Sequence, residues 1–274
     1  MNLKEFLKNK LTEKELIILP RAFDIIGTIA IIDVPKELVK KEKIIANAIM
    51  QQHTSIKTVL KKFGKFKGRL RTRKLKYIAG LKTKETIYNE NGCAMKLNIE
   101  ACYFSPRLAN ERMKIARQVK KNEKILVLFS GVGPFGLVIS KNSKAKEIKM
   151  IELNREATKY ALDNIRINKL SNIQAIQGDV KKVIPKLKEK FDRIVMARPQ
   201  LKETFLQDAF KAAKKNTIIY FYDFLQENLI PNASIEKIQQ AAKRAKKKIR
   251  ILAWKKCGEI APYKFRVRID FLIL

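Results

Sequence analysis

A single histidine, His53, leaves little room for a histidine metal site or a Ser-His-Asp triad. The three cysteines, Cys93, Cys102 and Cys257, are far apart, odd in number and form no C-x-x-C pair. That argues against a disulfide framework and fits a reducing, cytoplasmic setting. No metal site is expected. No run of about 18 apolar residues occurs, so no membrane span is expected. The opening "MNLKEFLKNK" is too charged for a signal peptide. Internal repeats and long Gly/Ser/Pro linkers are missing too. The largest shortage is of acid: 26 Asp and Glu face 60 Lys and Arg, a net charge of +34. Such an excess repels itself and attracts polyanions. Because 46% of the residues are hydrophobic, the chain can bury a core and is not a disordered basic tail. Nucleic acid is the first candidate partner.

Residues 1–16 read as a helical extension, followed by the start of an apolar strand. "FDIIGTIAIIDVP", residues 23–35, reads as one strand or two with a kink at Gly27. "KELVKKEKIIANAIMQQH" has helical spacing and "IKTVLKKF" resumes a strand. Residues 61–76 then carry nine basic side chains and no acid. As a strand, "RLRTRKL" would project Arg69, Arg71 and Arg73 from one face, a phosphate- or base-contacting surface. With Lys61, Lys62, Lys65, Lys67 and Lys74 these form the candidate RNA-binding cluster. "ENG" reads as a hairpin turn. Residues 17–104 thus read as a small α+β RNA-binding module.

Beyond it, strands alternate with helices: "KILVLFS", "EIKMIELN", "IQAIQGD", "FDRIVMARP" and "NTIIYFYDF", with "KIRILAWKKCG" and "YKFRVRIDFLIL" closing the chain. Residues 105–274 therefore read as a doubly wound, Rossmann-like α/β sheet ending in paired, antiparallel strands. "GVGPFG" fits G-x-G-x-x-G after a strand, with Glu152 21 residues beyond Gly131. Gly131 and Gly133 let the backbone approach a ligand, and Glu152 can hold a ribose diol. Three features point away from a nicotinamide cofactor. Pro134 removes a backbone N–H that could meet a pyrophosphate. Asp179, after the third strand, is placed to accept from an adenine amino group. The loop order "SGVG … IELN … GD … ARP" is that of the S-adenosylmethionine methyltransferases.

"YFSPRLANER" ahead of "LFSGVGPF" resembles the tRNA guanine-37 N1-methyltransferases of archaea and eukaryotes. The similarity runs from about residue 17 to the end, through "GRLRTRKLKYIAG", "DNIRINKL" and "APYKFRVRIDF". Methylating guanine N1 needs a base for its proton and a cation for charge building on O6. The resemblance makes Glu111 the base and Arg71 the cation. It places Arg112, Phe129, Leu153, Val180, Ala197 and Pro199 in the cofactor site with Gly131, Gly133, Glu152 and Asp179. Tyr103 and Arg107 become active-site wall. It implies S-adenosylmethionine as cofactor, a tRNA anticodon stem-loop as partner, a monomer, and a wyosine-type base as a possible second substrate. An aminocarboxypropyl transferase of wyosine biosynthesis and a non-enzymatic RNA-binding protein are the alternatives. The family's fourth loop usually reads Asn-Leu-Pro; here it is Ala197-Arg198-Pro199. Archaeal relatives also carry an N-terminal domain for the outer corner of tRNA, of which about 16 residues would be represented here.

Overall fold

The structure is a computed structural model that describes residues 3–20, 22–70, 72–197 and 203–274, and of Lys65, Phe66 and Lys67 the backbone alone. It divides into two compact units, Met1–Asn89 with Lys96–Tyr103, and Glu90–Met95 with Phe104–Leu274.

The first unit begins with two short helices, α1 (Leu3–Leu7) and α2 (Glu13–Ile17). Thr12 caps α2 reciprocally with Glu15: the Glu15 N–H donates to Thr12 Oγ1 (3.3 Å) and the Thr12 N–H to Glu15 Oε2 (2.8 Å). Leu16 and Ile17, which begin the apolar run expected to start a strand, are therefore helical. Leu7, Leu11 and Leu19 lie in one core with Ile45, Ile49, Val59 and Ile78, so α1 and the segment after it share the core of this module.

A four-stranded sheet follows in the order β1 (Asp24–Ile26), β2 (Ile29–Ile32), β3 (Thr58–Lys67), β4 (Thr72–Gly80). Helix α3 (Glu42–Gln52) packs its buried Ile45 and Ile49 into the same core. Gly27 does not kink one strand but turns between two, at φ +56°. A Cβ there would sit 2.2 Å from Thr86 Oγ1 and 2.3 Å from the Ile87 carbonyl oxygen. The β3–β4 hairpin closes with Lys67 opposite Thr72, and Gly68 at φ +63° turns the chain. Arg69 thus lies in the turn and Arg73 on the strand, which corrects the expected single face of three arginines. Arg71 lies outside the described residues.

Strands β5 (Glu85–Glu90) and β6 (Cys93–Asn98) form a two-stranded ladder. They are joined by Asn91 and Gly92, at φ +48° and +75°, as the Asn-Gly pair predicts. The tip of this hairpin belongs to the second unit.

The second unit runs α4 (Ala109–Ala116), β7 (Lys124–Leu128), α5 (Pro134–Asn142), β8 (Glu147–Glu152), α6 (Arg155–Ile167), β9 (Ile173–Gln177), α7 (Val180–Leu187) and β10 (Phe191–Met196). It continues through α8 (Leu206–Ala212), β11 (Ala213–Gln226), α9 (Asn232–Arg244), β12 (Ile249–Ala261) and β13 (Lys264–Ile273). The seven strands lie in the order β12-β13-β11-β10-β7-β8-β9. Strand β13 runs antiparallel between β11 and β12, while β9, β8, β7, β10 and β11 pair in parallel. Along β7, Leu126 and Leu128 enter one buried cluster and Ile125 and Val127 the other. Both faces are covered, which is why "KILVL" is apolar without alternation.

Gly27→Ala should destabilise the first unit by about 1–3 kcal/mol, because the methyl meets backbone as well as a side chain. The measurement is the urea midpoint; an unchanged midpoint would show that the turn can shift freely.

Candidate active site

The strand order reverses between β7 and β10, and their carboxyl ends open the crevice where doubly wound sheets bind ligands. After β7 the chain turns at Phe129 (φ +59°), Gly131 (φ +57°) and Gly133 (φ +92°), then enters α5 with Pro134 in its first turn. Gly136 serves packing: a Cβ there would stand 2.3 Å from Met150 Sδ on β8. Glu152, ending β8, reaches under the turn. Its Oε2 accepts from the Gly131 N–H and its Oε1 from the Asn154 N–H, both at 2.7 Å. A carboxylate offers about four lone-pair sites, so acceptor capacity for a ribose hydroxyl remains. Burial raises the Glu152 pKa, and the backbone donors Asn154, Gly131 and Leu153 oppose the shift only in part.

Asp179 caps α7, accepting from the Lys181 N–H at 3.0 Å. Val180, beside it, is buried in the core, and the Leu153 carbonyl accepts from Gln177 Nε2 at 3.3 Å. The Phe129 ring meets Phe205 edge-on, centroids 5.0 Å apart. Ala197 follows β10 half-buried against the core; Pro199 lies outside the described residues. Ser130, inside the turn, is buried, and its Oγ has no hydrogen-bond partner among the described residues.

Ahead of this crevice, Pro106–Leu108 form a 3-10 turn and α4 begins. Two consecutive residues of α4, Glu111 and Arg112, are buried. The Arg112 guanidinium forks onto the Glu90 carboxylate at the hairpin tip and donates to the Ser105 carbonyl at 3.2 Å. It lies over the Phe104 and Phe135 rings at 5.5 and 5.8 Å. The resemblance puts Arg112 in the cofactor site; in the structure it fastens the loop that precedes α4.

Glu111 turns to the last two strands. Lys255 pairs with its Oε1, Arg268 Nη1 donates to Oε2 at 2.7 Å, and Cys257 Sγ lies 3.4 Å from the same oxygen. Arg268 also forks onto Asp270, at 2.7 and 2.8 Å. Burial pushes the Cys257 thiol up to about 12, with Glu111 adding to the shift, so it stays protonated. Burial opposes the Arg268 charge, but the Asp270 and Glu111 carboxylates outweigh it and raise its pKa. Lys255, Arg268 and Asp270 were not among the residues expected from the sequence. The available signal was "RVRID": polar residues alternating through a strand that lies inside the sheet.

Tyr103 is half-buried at the end of the first unit, and Arg107 is exposed in the 3-10 turn of the second. In the basic cluster, Lys61 pairs with Glu42, and Lys62 lies 3.9 Å from Asp24 and 4.0 Å from Asp33. Arg69 and Lys74 are exposed and Arg73 half-buried; the side chains of Lys65 and Lys67 lie outside the described residues.

The TRM5/TYW2 methyltransferase domain model matches residues 86–252, and the TYW2 N-terminal domain model matches residues 3–83. The chain belongs to the TRM5/TYW2 methyltransferase family. The cofactor of this family is S-adenosylmethionine. The tRNA (guanine(37)-N(1))-methyltransferase Trm5b of Pyrococcus abyssi is 37% identical over 255 residues, 93% of this chain and 76% of that protein. Its crystal structure superimposes with a TM-score of 0.87 at 36% identity, covering 96% of this chain and 78% of that one. The solved complex of aTrm5 and tRNALeu gives a TM-score of 0.86 at 27% identity, covering 100% of this chain and 78% of that one. The tRNA(Phe) (4-demethylwyosine(37)-C(7)) aminocarboxypropyltransferase of Pyrococcus horikoshii is 27% identical over 271 residues, 99% of this chain and 96% of that protein.

The residues present fit the family cofactor. The Glu152 carboxylate keeps acceptor capacity for a ribose hydroxyl, and the buried Ser130 Oγ has no hydrogen-bond partner among the described residues.

Glu152→Ala should weaken S-adenosylmethionine binding by about 1–3 kcal/mol. The diol assignment requires the ionised carboxylate, and burial raises the Glu152 pKa. Affinity should therefore fall as pH is lowered, beginning above the 4.5 of an ordinary glutamate. Glu152→Gln should flatten that limb. Calorimetric titration across pH checks both, and an unaltered affinity in Glu152→Ala rejects the diol assignment.

Proposed function

We propose that the chain transfers a methyl group from S-adenosylmethionine to N1 of the guanosine 3′ of the tRNA anticodon. The observation that carries this reading is the buried Glu111 carboxylate, held between Lys255 and Arg268 at the start of α4, in the unit that also holds the glycine turn. The cofactor supplies an electrophilic methyl on a sulfonium. Glu111 takes the N1 proton, so that the nitrogen lone pair is free to attack. The family resemblance gives Arg71 the task of balancing the charge that accumulates on O6. Tyr103 and Arg107 wall the base. Exposed Arg69 and Lys74 hold phosphates of the anticodon stem-loop.

A second reading has an observation of its own. The first unit matches the TYW2 N-terminal domain, and the chain covers 96% of an aminocarboxypropyltransferase. That reaction would use the other carbon chain on the same sulfonium. Ala197 stands where the family methyltransferases usually carry asparagine, which also leaves room for a different acceptor, such as a wyosine-type base.

One experiment separates the two: undermodified tRNA incubated with methyl-labelled and, separately, carboxypropyl-labelled cofactor. Methyl incorporation at the guanosine is expected; carboxypropyl incorporation would replace the proposal with its alternative. Glu111→Gln should slow single-turnover methylation by about 10²–10⁴ with cofactor affinity little changed. Near wild-type rates in that variant would remove Glu111 as the base. Reversing Arg69 and Lys74 to glutamate should weaken tRNA binding and lower the slope of log affinity against log salt by somewhat under one unit for each phosphate no longer neutralised. An intact slope would make the cluster a solvated face.

A further inference from the structure

Glu111 is held asymmetrically. Its Oε2 meets Arg268, and Arg268 is itself braced: Nε and Nη2 fork onto Asp270 while Nη1 alone turns to Glu111. A planar guanidinium fixed on one side by a fork has little freedom in where its remaining donor points. The guanidinium also lies over the buried Tyr220 ring, 5.5 Å from its centroid. Strand β13, which carries Arg268 and Asp270, is flanked on both sides within the sheet. Oε1 meets only Lys255 among the described residues, on the edge strand β12 directly across from Arg268. Lys255 is partly exposed and reaches in on a flexible stem.

We propose that Arg268, braced by Asp270, is the positioning residue for Glu111, fixing Oε2 so that Oε1 is the oxygen presented to the nucleobase. The inference rests on the reading of Glu111 as the base. When the nucleobase enters, Lys255 gives way at Oε1. The N1–H bond then breaks towards Oε1, and the electron pair it leaves on N1 is the nucleophile. Arg268 gives up no proton at any point. Asp270 sets its direction, as second-layer carboxylates commonly set the aim of a functional group they hold.

The test is a double-mutant cycle in the full chain, read as single-turnover methylation of an unmodified tRNA transcript at saturating cofactor. Cofactor and tRNA affinities are measured for each variant. Arg268→Gln should slow the methyl-transfer step about 10- to 100-fold, on the order of losing one oriented charged donor, with both affinities within about twofold of wild type. Arg268→Lys, which reaches Glu111 but cannot fork onto Asp270, should recover part of the rate. In a Glu111→Gln background, Arg268→Gln should slow the step no further, because both substitutions disable one unit. A slow Glu111→Gln with Arg268→Gln at wild-type rate, or with rate effects that multiply, would overturn the positioning role and leave the base assignment standing. A Glu111→Gln at wild-type rate would overturn the base assignment itself. Should Arg268→Gln lose cofactor binding, Asp270→Asn takes its place. It retains the Arg268–Glu111 pairing, and a slowed rate that is absent from the Glu111→Gln background supports the proposal, whereas an unchanged rate rejects it.

Discussion

Two neighbouring residues of α4, Glu111 and Arg112, are buried with opposite charge, and neither neutralises the other. A charge removed from water is tolerated only when paired and hydrogen-bonded. Side chains one position apart on a helix point in different directions, so each needs its own partner. Arg112 finds Glu90, 22 residues earlier, and Glu111 finds Arg268, 157 residues later. These two pairings draw the hairpin tip and the last strand to one short helix. The first accompanies the inclusion of Glu90–Met95 in the second compact unit, where Ala94 is also bonded to Asn168 and Cys93 and Met95 enter the core. Removing one member of such a pair leaves a buried charge without compensation, at a cost of roughly 3–5 kcal/mol, so neither residue can be exchanged freely for a neutral one.

The same requirement explains the polar stripe on β13. A strand between two others in a sheet covered on both faces should be apolar. Arg266, Arg268 and Asp270 are nevertheless buried there. Arg268 and Asp270 compensate each other through their fork, and the remaining guanidinium donor is directed at Glu111. Lys255 joins from the edge strand in register with Arg268. The four side chains carry two charges of each sign, so the cluster is neutral as a set while every member depends on the others. The turn after β7 is organised by backbone instead. Glu152 accepts from the backbone N–H groups of Gly131 and Asn154, and Asp179 from that of Lys181, which fixes both carboxylates at the ends of their strands.

Much of this was legible in the sequence where the signal is local. Unbroken apolar runs such as "KILVL" mark strands covered on both faces, Asn91-Gly92 marks a hairpin, and the glycine turn marks the end of the first parallel strand. The start of the chain was local too, but the decisive signal was polar. Thr12 and Glu15 form a capping box that starts a helix reaching Leu16 and Ile17, where hydrophobicity alone suggested a strand. Arg69 shows the limit of alternation as a guide, because Gly68 turns the chain before the strand begins. The partners of Glu111 and Arg112 could not be read locally at all. The sequence shows which charges exist, but which ones meet follows from strand order, and β13 is inserted between β11 and β12 out of sequence.

The shortage of acid acquires a structural meaning from these pairings. The chain has 26 carboxylate side chains against 60 cations. Those described around the site have defined work: Glu90 compensates Arg112, Glu111 and Asp270 hold Arg268, and Glu152 and Asp179 receive backbone donors. Glu123 compensates the buried Arg193 at 2.6 Å. Acids used in this way cannot also offset the lysines of the surface. The cationic excess is therefore displaced outwards, where it raises the local concentration of a polyanion. Buried acids set the geometry of the site, and the unbalanced surface is left to attract polyanions.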